Sequence, residues 1–284
     1  MTVEKENFRK RVEALINVPT LEGVLEKIKP LMDSSNAGVE DIATIISSDQ
    51  VLSAKILRVV NSVFYGFPGR ISSLRHALII LGFDAVKGLI LSTSVFDAML
   101  AGGFYGLWEH SMGCAVTAGI IARKTRDPNP EEISIAALLH DIGKVIIKTE
   151  LPEESSRIDQ AVKENQISTY DAEREILGFD HTTVGEWLCQ GWNLPDKLAD
   201  PIAFHHKPDL SQFAQRPTAI AHVANVFVRA IGFGFGGDNL VPQINSAAWE
   251  ILDMSDSLVK EIVKEMDGKL EDAEDFLAAN GIQM

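Results

Sequence analysis

Cysteine is scarce in this chain of 284 residues: only Cys114 and Cys189 occur, each alone in a mostly apolar, helix-patterned stretch. No CxxC pair exists, which excludes a cysteine-rich zinc site, and two isolated thiols read as small buried side chains rather than as a disulfide. Long apolar runs are missing as well. None reaches the roughly 18 residues of a membrane span, and the N-terminal MTVEKENFRKRVEALI has no signal-peptide core. The expectation is a cytoplasmic protein with no membrane partner. Positive charge is in short supply: 26 Lys and Arg stand against 40 Asp and Glu, a net charge of −14. No basic stripe of the kind a phosphate-backbone binder presents is visible, so nucleic-acid binding is disfavoured.

Strand-like alternation is absent over any useful length, and helical period dominates. Apolar residues recur at Val39, Ile42, Ala43, Ile45 and Ile46, and again from Val51 to Val60. Ser72 or Ser73 can cap a helix that Gly82 stops, and Asp84 can cap another running to about Leu100. Further helices are expected at about 107–124, 154–165, 170–177, 182–191, 195–206 and 217–231, with Pro195 in a first turn. Glu131 and Glu132 suit the positive end of a helix that follows the turn at 127–130. Gly232–Asn239 (GFGFGGDN) reads as a flexible break, and an acidic amphipathic helix follows near 256–266. From Glu250 onward ten acidic and three basic residues carry half of the net charge, a run that reads as a solvated cap. The fold class is all-α. Three parts are expected: an N-terminal helical part at 1–101, a histidine-bearing helical bundle at 102–234 and an acidic helical tail at 235–284.

Seven histidines occur, and five form an ordered series after Gly106. His110 lies on the first helix there. His140 precedes Asp141 in LLHDIGKVII, His181 opens the helix of HTTVGEWL, and His205 and His206 close that of PIAFHHKP. A single histidine is ordinarily a surface or core residue; the series is the signal. Imidazole and carboxylate are natural ligands of divalent transition metals, and a helical bundle can converge them from separate helices. Adjacent helical residues point about 100° apart. His140 and Asp141 would therefore grip an ion from different sides, or Asp141 would bridge two ions. Lys144, one turn after His140, reads either as a solvated helix-end lysine or as a group that neutralises a phosphate oxygen. His76 has no evident role, and His222 reads as a core residue.

HDIGK resembles the signature of the HD superfamily of metal-dependent phosphohydrolases. That resemblance implies a metal held by His110, His140, Asp141 and a distant Asp, whose place in AIAHVANVFVRA is taken by Asn225. His181, His205 and His206 resemble the second-metal histidines of the HD-GYP branch. The GYP loop itself is replaced by KPDLSQFAQRP, which disfavours cyclic-dinucleotide hydrolysis. The segments from Val18-Pro19-Thr20-Leu21 through DIATIISSDQVLSAKILRVVNSVFYGFPGRISSLRHALIILGF, and GFDHTTVGEWLCQGWNLPDKLADPIAFHH, are similar to the HDOD family over about 15–210. The resemblance implies an HD-like multi-helix bundle with an N-terminal helical subdomain, in a bacterial signalling or regulatory module. One or two divalent transition metals (iron, manganese or zinc) and an unidentified signalling protein would be its partners. A non-catalytic module is expected. The alternative is a metal-dependent phosphohydrolase acting on a nucleotide or other phosphoester, with Asp141 and Lys144 in its active site. The aromatic loop 61–70 is expected to pack onto its own core.

Overall fold

A computed structural model describes residues 2–14, 73–82, 101–192 and 194–279, with isolated positions between 43 and 99. Most of the N-terminal part, including the loop at 61–70, the helix expected after Asp84 and the patterned stretch from 39 to 60, lies outside the described residues. Among those described, every regular element is a helix and no strand occurs. Numbered in chain order, they are α1 (Thr2–Ala14), α2 (Leu74–Leu81), α3 (Tyr105–Lys124), α4 (Pro130–Leu139), α5 (Ile142–Glu150), α6 (Pro152–Asn165) and α7 (Thr169–Leu177). They continue as α8 (His181–Gly191), α9 (Asp196–Phe204), α10 (Gln215–Ile231), α11 (Ser246–Ile251) and α12 (Asp256–Ala279).

The bundle is organised around α3, which is buried on nearly every face from Leu107 to Ala122. A helix apolar all round belongs in a core. Helices α4, α10 and α12 pack on it. Small residues permit the approach: a Cβ at Gly113 would meet Phe233 and Val228, and one at Gly119 would meet Ser134. The local signals in the sequence act as expected at most ends. Ser73 caps α2, Pro130 opens α4 with Glu131 and Glu132 in its first turn, and Asp180 caps α8 by accepting from the amides of Thr182 and Thr183. Pro195 sits one place earlier than expected, at the N-cap of α9 with extended ψ, so the helix starts at Asp196.

The two ends of the described chain both return to the bundle. Helix α1 lies on α8, with Phe8 stacked on Phe179 at 5.6 Å and edge-on to Trp187. Helix α12 runs to Ala279, far beyond the expected 266, because Ile262, Met266, Leu270 and Ala273 continue one buried stripe. Its acidic face meets Lys124, whose Nζ is 3.1 Å from Glu265 and 3.6 Å from Glu261. The acidic tail is thus docked by its apolar stripe, with the charge left outside.

Candidate metal centre

The histidine series converges because helices end where it needs to turn. α4 stops at Leu139 and α5 starts at Ile142, so His140 and Asp141 occupy a break rather than one continuous helix. Their side chains need not diverge by the helical angle, and His140 Nε2 lies 3.3 Å from Asp141 Oδ2. His205 and His206 likewise follow the last residue of α9, with ring centroids 4.3 Å apart. Gly143 then brings α5 against the start of α8: any Cβ there would collide with the His181 carbonyl. The glycine of HDIGK is a packing requirement of this centre.

Asp141 divides the cluster. On the Oδ2 side stand His110 at 3.6 Å, His140 at 3.3 Å and the Lys144 ammonium at 2.7 Å. On the Oδ1 side stand His181 at 3.3 Å and His205 at 3.6 Å. The His181 Nε2 is a further 3.4 Å from His205 Nε2 and 3.1 Å from His206 Nε2. Of these side chains only His206 is more than marginally exposed.

Neighbouring groups decide which imidazole nitrogen faces inward. His140 Nδ1 lies 2.7 Å from the Ala137 carbonyl and His205 Nδ1 3.1 Å from that of Ile202. A carbonyl only accepts, so both rings carry their proton on Nδ1 and turn an Nε2 lone pair toward the cluster. His181 Nδ1 is 2.6 Å from Glu173 Oε2, which also accepts from the His181 amide at 2.8 Å. His222 is a buried core residue whose partners are complete: Nδ1 donates to the His205 carbonyl and Nε2 accepts from the Asn245 amide.

Burial lowers the proton affinity of His110, His181, His205 and His206 well below the ordinary imidazole range. Burial alone would raise the Asp141 carboxyl. The facing imidazole of His140, the Lys144 ammonium and the His181 ring outweigh it and hold Asp141 well below the usual carboxylate range. Burial pushes Glu173 up to about 8.

This donor set fits a cation. Buried His140 Nε2 and Asp141 Oδ1 have no hydrogen-bond partner, although nitrogens and oxygens face each other across the cluster. The Nε2 lone pairs of His140 and His205 stand 3.3 and 3.6 Å from Asp141 oxygens and repel them unless a positive centre lies between. With metal–ligand bonds of about 2.0–2.3 Å, atoms that share one ion stand roughly 3.0–3.6 Å apart. The ligand atoms of His181, His205 and His206 lie within 4.8 Å of one another, as do those of His140, Asp141 and His205.

Lys144 is no solvated helix end: it is 4% exposed and donates to Asp141 and, at 2.8 Å, to the Gly236 carbonyl. Gly232–Asn239 is not a loose break. Phe235 N–H donates to the Gly106 carbonyl, Asp238 accepts from the Thr169 amide and pairs with Arg229, and Gly234 packs against the His110 backbone. The segment is a strap across the centre. Asn225 lies buried on α10 with Oδ1 unpaired. Glu173 escaped the sequence reading because nothing near it in sequence marks it. His76 is exposed on α2 and belongs to none of the ligand groups.

An all-helical bundle with a histidine–aspartate centre is the class that the HD-type folds define. The HDOD domain model matches residues 18–208, and the chain belongs to the HDOD domain family, a signal-transduction-associated branch of the HD superfamily. An HDOD domain protein of unknown function from Geobacter sulfurreducens has a similar crystal structure: 28% identity, TM-score 0.69, covering 93% of this chain and 92% of the other. A Marinobacter aquaeolei VT8 protein, named provisionally for signal transduction, matches with TM-score 0.65 and 20% identity over 91% of this chain and 58% of its own. An uncharacterized protein of Treponema pallidum (strain Nichols) is 25% identical over 193 residues, which is 67% of this chain but only 38% of that relative's length. No helix among the described residues is long and apolar enough to cross a membrane.

Proposed function

We propose that this protein is a metal-bearing HDOD signalling module of a bacterial cytoplasm, regulatory rather than catalytic, that acts through contact with a signalling protein. His110, His140 and Asp141 would hold one divalent transition ion, with Asn225 as a neutral donor. His181, His205 and His206 would hold a second, and Asp141 would bridge them. Iron, manganese and zinc all suit imidazole–carboxylate sets. The observation that carries the reading is the convergence of four imidazoles on one carboxylate, with His206 against one of them and the inward nitrogens of His140 and His205 left as lone pairs by their backbone partners. Glu173 orients a third ring, as an outer carboxylate does for a ligating histidine.

The regulatory emphasis rests on access. His110, His140, Asp141, His181 and His205 are all 0–1% exposed, and the strap holds Lys144 against Asp141. A metal here couples directly to folding, since it ties α3, the α4–α5 break, α8 and the end of α9 together.

A second reading, phosphoester hydrolysis, is favoured by one observation. A cavity of about 560 Å³ has Lys144, Glu173 and Gly236 in its wall, and a smaller one of about 250 Å³ is lined by His181, His206, Lys144 and Arg229. A bound dication would supply Lewis-acid polarisation of a phosphoester. Lys144 and Arg229 would orient its anionic oxygens, and the strap would exclude water.

The test is metal content of untagged, chelator-free protein, followed by a screen of the loaded protein against phosphomonoesters and phosphodiesters. Metal that is lost in the His140→Ala/Asp141→Ala variant, with no turnover, supports the module. Turnover lost in the same variant transfers the case to the hydrolase, and absence of metal after anaerobic loading overturns both.

A further inference from the structure

Cys114 has so far counted as a small buried side chain, yet it lies at the metal centre. It is one helical turn after His110 on α3, fully buried, with Sγ 3.6 Å from His110 Nε2. The ligand atoms of His110, Cys114 and His140 all lie within 4.8 Å of one another. The second observation is independent of the sulfur: His140 Nε2, 1% exposed and directed into this corner, has no hydrogen-bond partner.

We propose that Cys114 is a ligand of the ion on the Oδ2 side of Asp141, which makes that half a thiolate-bearing site for zinc or a similarly thiophilic dication. The inference rests on the metal reading above and extends it to the choice of metal. The distances agree with shared coordination. For bonds of about 2.3 Å to sulfur and about 2.05 Å to nitrogen, a tetrahedral ion separates its S and N ligands by roughly 3.5 Å. Charge points the same way. Without Cys114, two dications would share the single carboxylate Asp141, because Asn225 is neutral and Glu173 reaches the cluster only through His181. Coordination replaces the S–H bond with an S–metal bond, and the proton leaves to solvent. The Oδ1 half offers only imidazoles and the carboxylate, so the two halves differ in softness. The Cys114 half prefers zinc, cobalt or ferrous iron over manganese.

The test is anaerobic loading of the metal-free full chain with cobalt(II), read by absorption. The expected spectrum has visible ligand-field bands and a near-ultraviolet thiolate-to-cobalt charge-transfer band. Cys114→Ser and Cys114→Ala lose the charge-transfer band and keep ligand-field bands from the other half, while Cys189→Ser keeps both. Zinc X-ray absorption of the unaltered protein needs no variant and is expected to show a sulfur neighbour at about 2.3 Å beside lighter ones at about 2.0 Å. Ligand-field bands without charge transfer, or zinc without a sulfur neighbour, would overturn the Cys114 assignment and leave the metal centre standing. Failure to retain any cobalt or zinc would overturn the metal centre and this inference with it.

Discussion

The two oxygens of Asp141 face different surroundings. Around Oδ1, each imidazole is held from behind: His181 by Glu173, His205 by the Ile202 carbonyl and, through its own carbonyl, by His222. Around Oδ2, only His140 has such a support. His110 Nδ1 is buried and unpaired, and the Lys144 ammonium occupies the oxygen. One half is pre-organised for a cation, whereas the other balances its carboxylate with a lysine. Ligand geometry alone would have made the halves look equivalent. Their difference lies in what stands behind the ligands and which charge is already present.

Removing the shared carboxylate should erase the comparison altogether. Asp141→Asn is expected to abolish binding on both sides and to destabilise the metal-free fold by about 3–5 kcal/mol, since Lys144 is left buried without its counter-charge. Metal analysis and chemical denaturation in chelator check both parts. Glu173→Gln should separate the halves. The loss of an outer carboxylate typically lowers metal affinity about 10–100-fold. Here the loss is expected on the Oδ1 side alone, and a two-site zinc titration in which both affinities fall equally would count against the division.

Proton uptake gives a smaller, graded effect. Burial keeps His110, His181, His205, His206 and His222 below their ordinary proton affinity in the fold. The unfolded chain takes up these protons near pH ~6.5. Below that pH it binds more protons than the fold, so metal-free stability falls as pH falls. Glu173, pushed up to about 8, has the opposite slope: its folded form keeps a proton that the unfolded chain releases above pH ~4.3, which costs stability as pH rises toward 8. Five imidazoles outweigh one carboxyl, so the melting temperature in chelator is expected to drop between pH 6.5 and 5.5. The smallest effect is reserved for the histidine outside the cluster: His76→Ala should leave metal content unchanged and stability within about 0.5 kcal/mol.

The order of the histidines was legible in the sequence because all the ligating histidines but His110 sit at helix ends, and helix ends carry local signals such as Asp180 before His181. All-α architecture was legible for the same reason. Glu173 and Cys114 were not, since each acts through a neighbour that tertiary packing supplies: Glu173 through His181 eight residues on, and Cys114 through His140 in the break between α4 and α5. The glycines at 232–237 were misread as slack. Gly234 and Gly237 are small because the strap passes against His110 and Thr169, where a Cβ would collide. The length of α12 was underestimated because charge masked the stripe of Ile262, Met266, Leu270 and Ala273.

The central claim is that Asp141 joins two cation sites. Equilibrium dialysis of the metal-free protein against zinc, with bound metal counted per chain, tests it most directly. The account predicts two zinc ions per chain in the unaltered protein and none in Asp141→Asn. A protein that binds no zinc, or that keeps its zinc after the substitution, would contradict it.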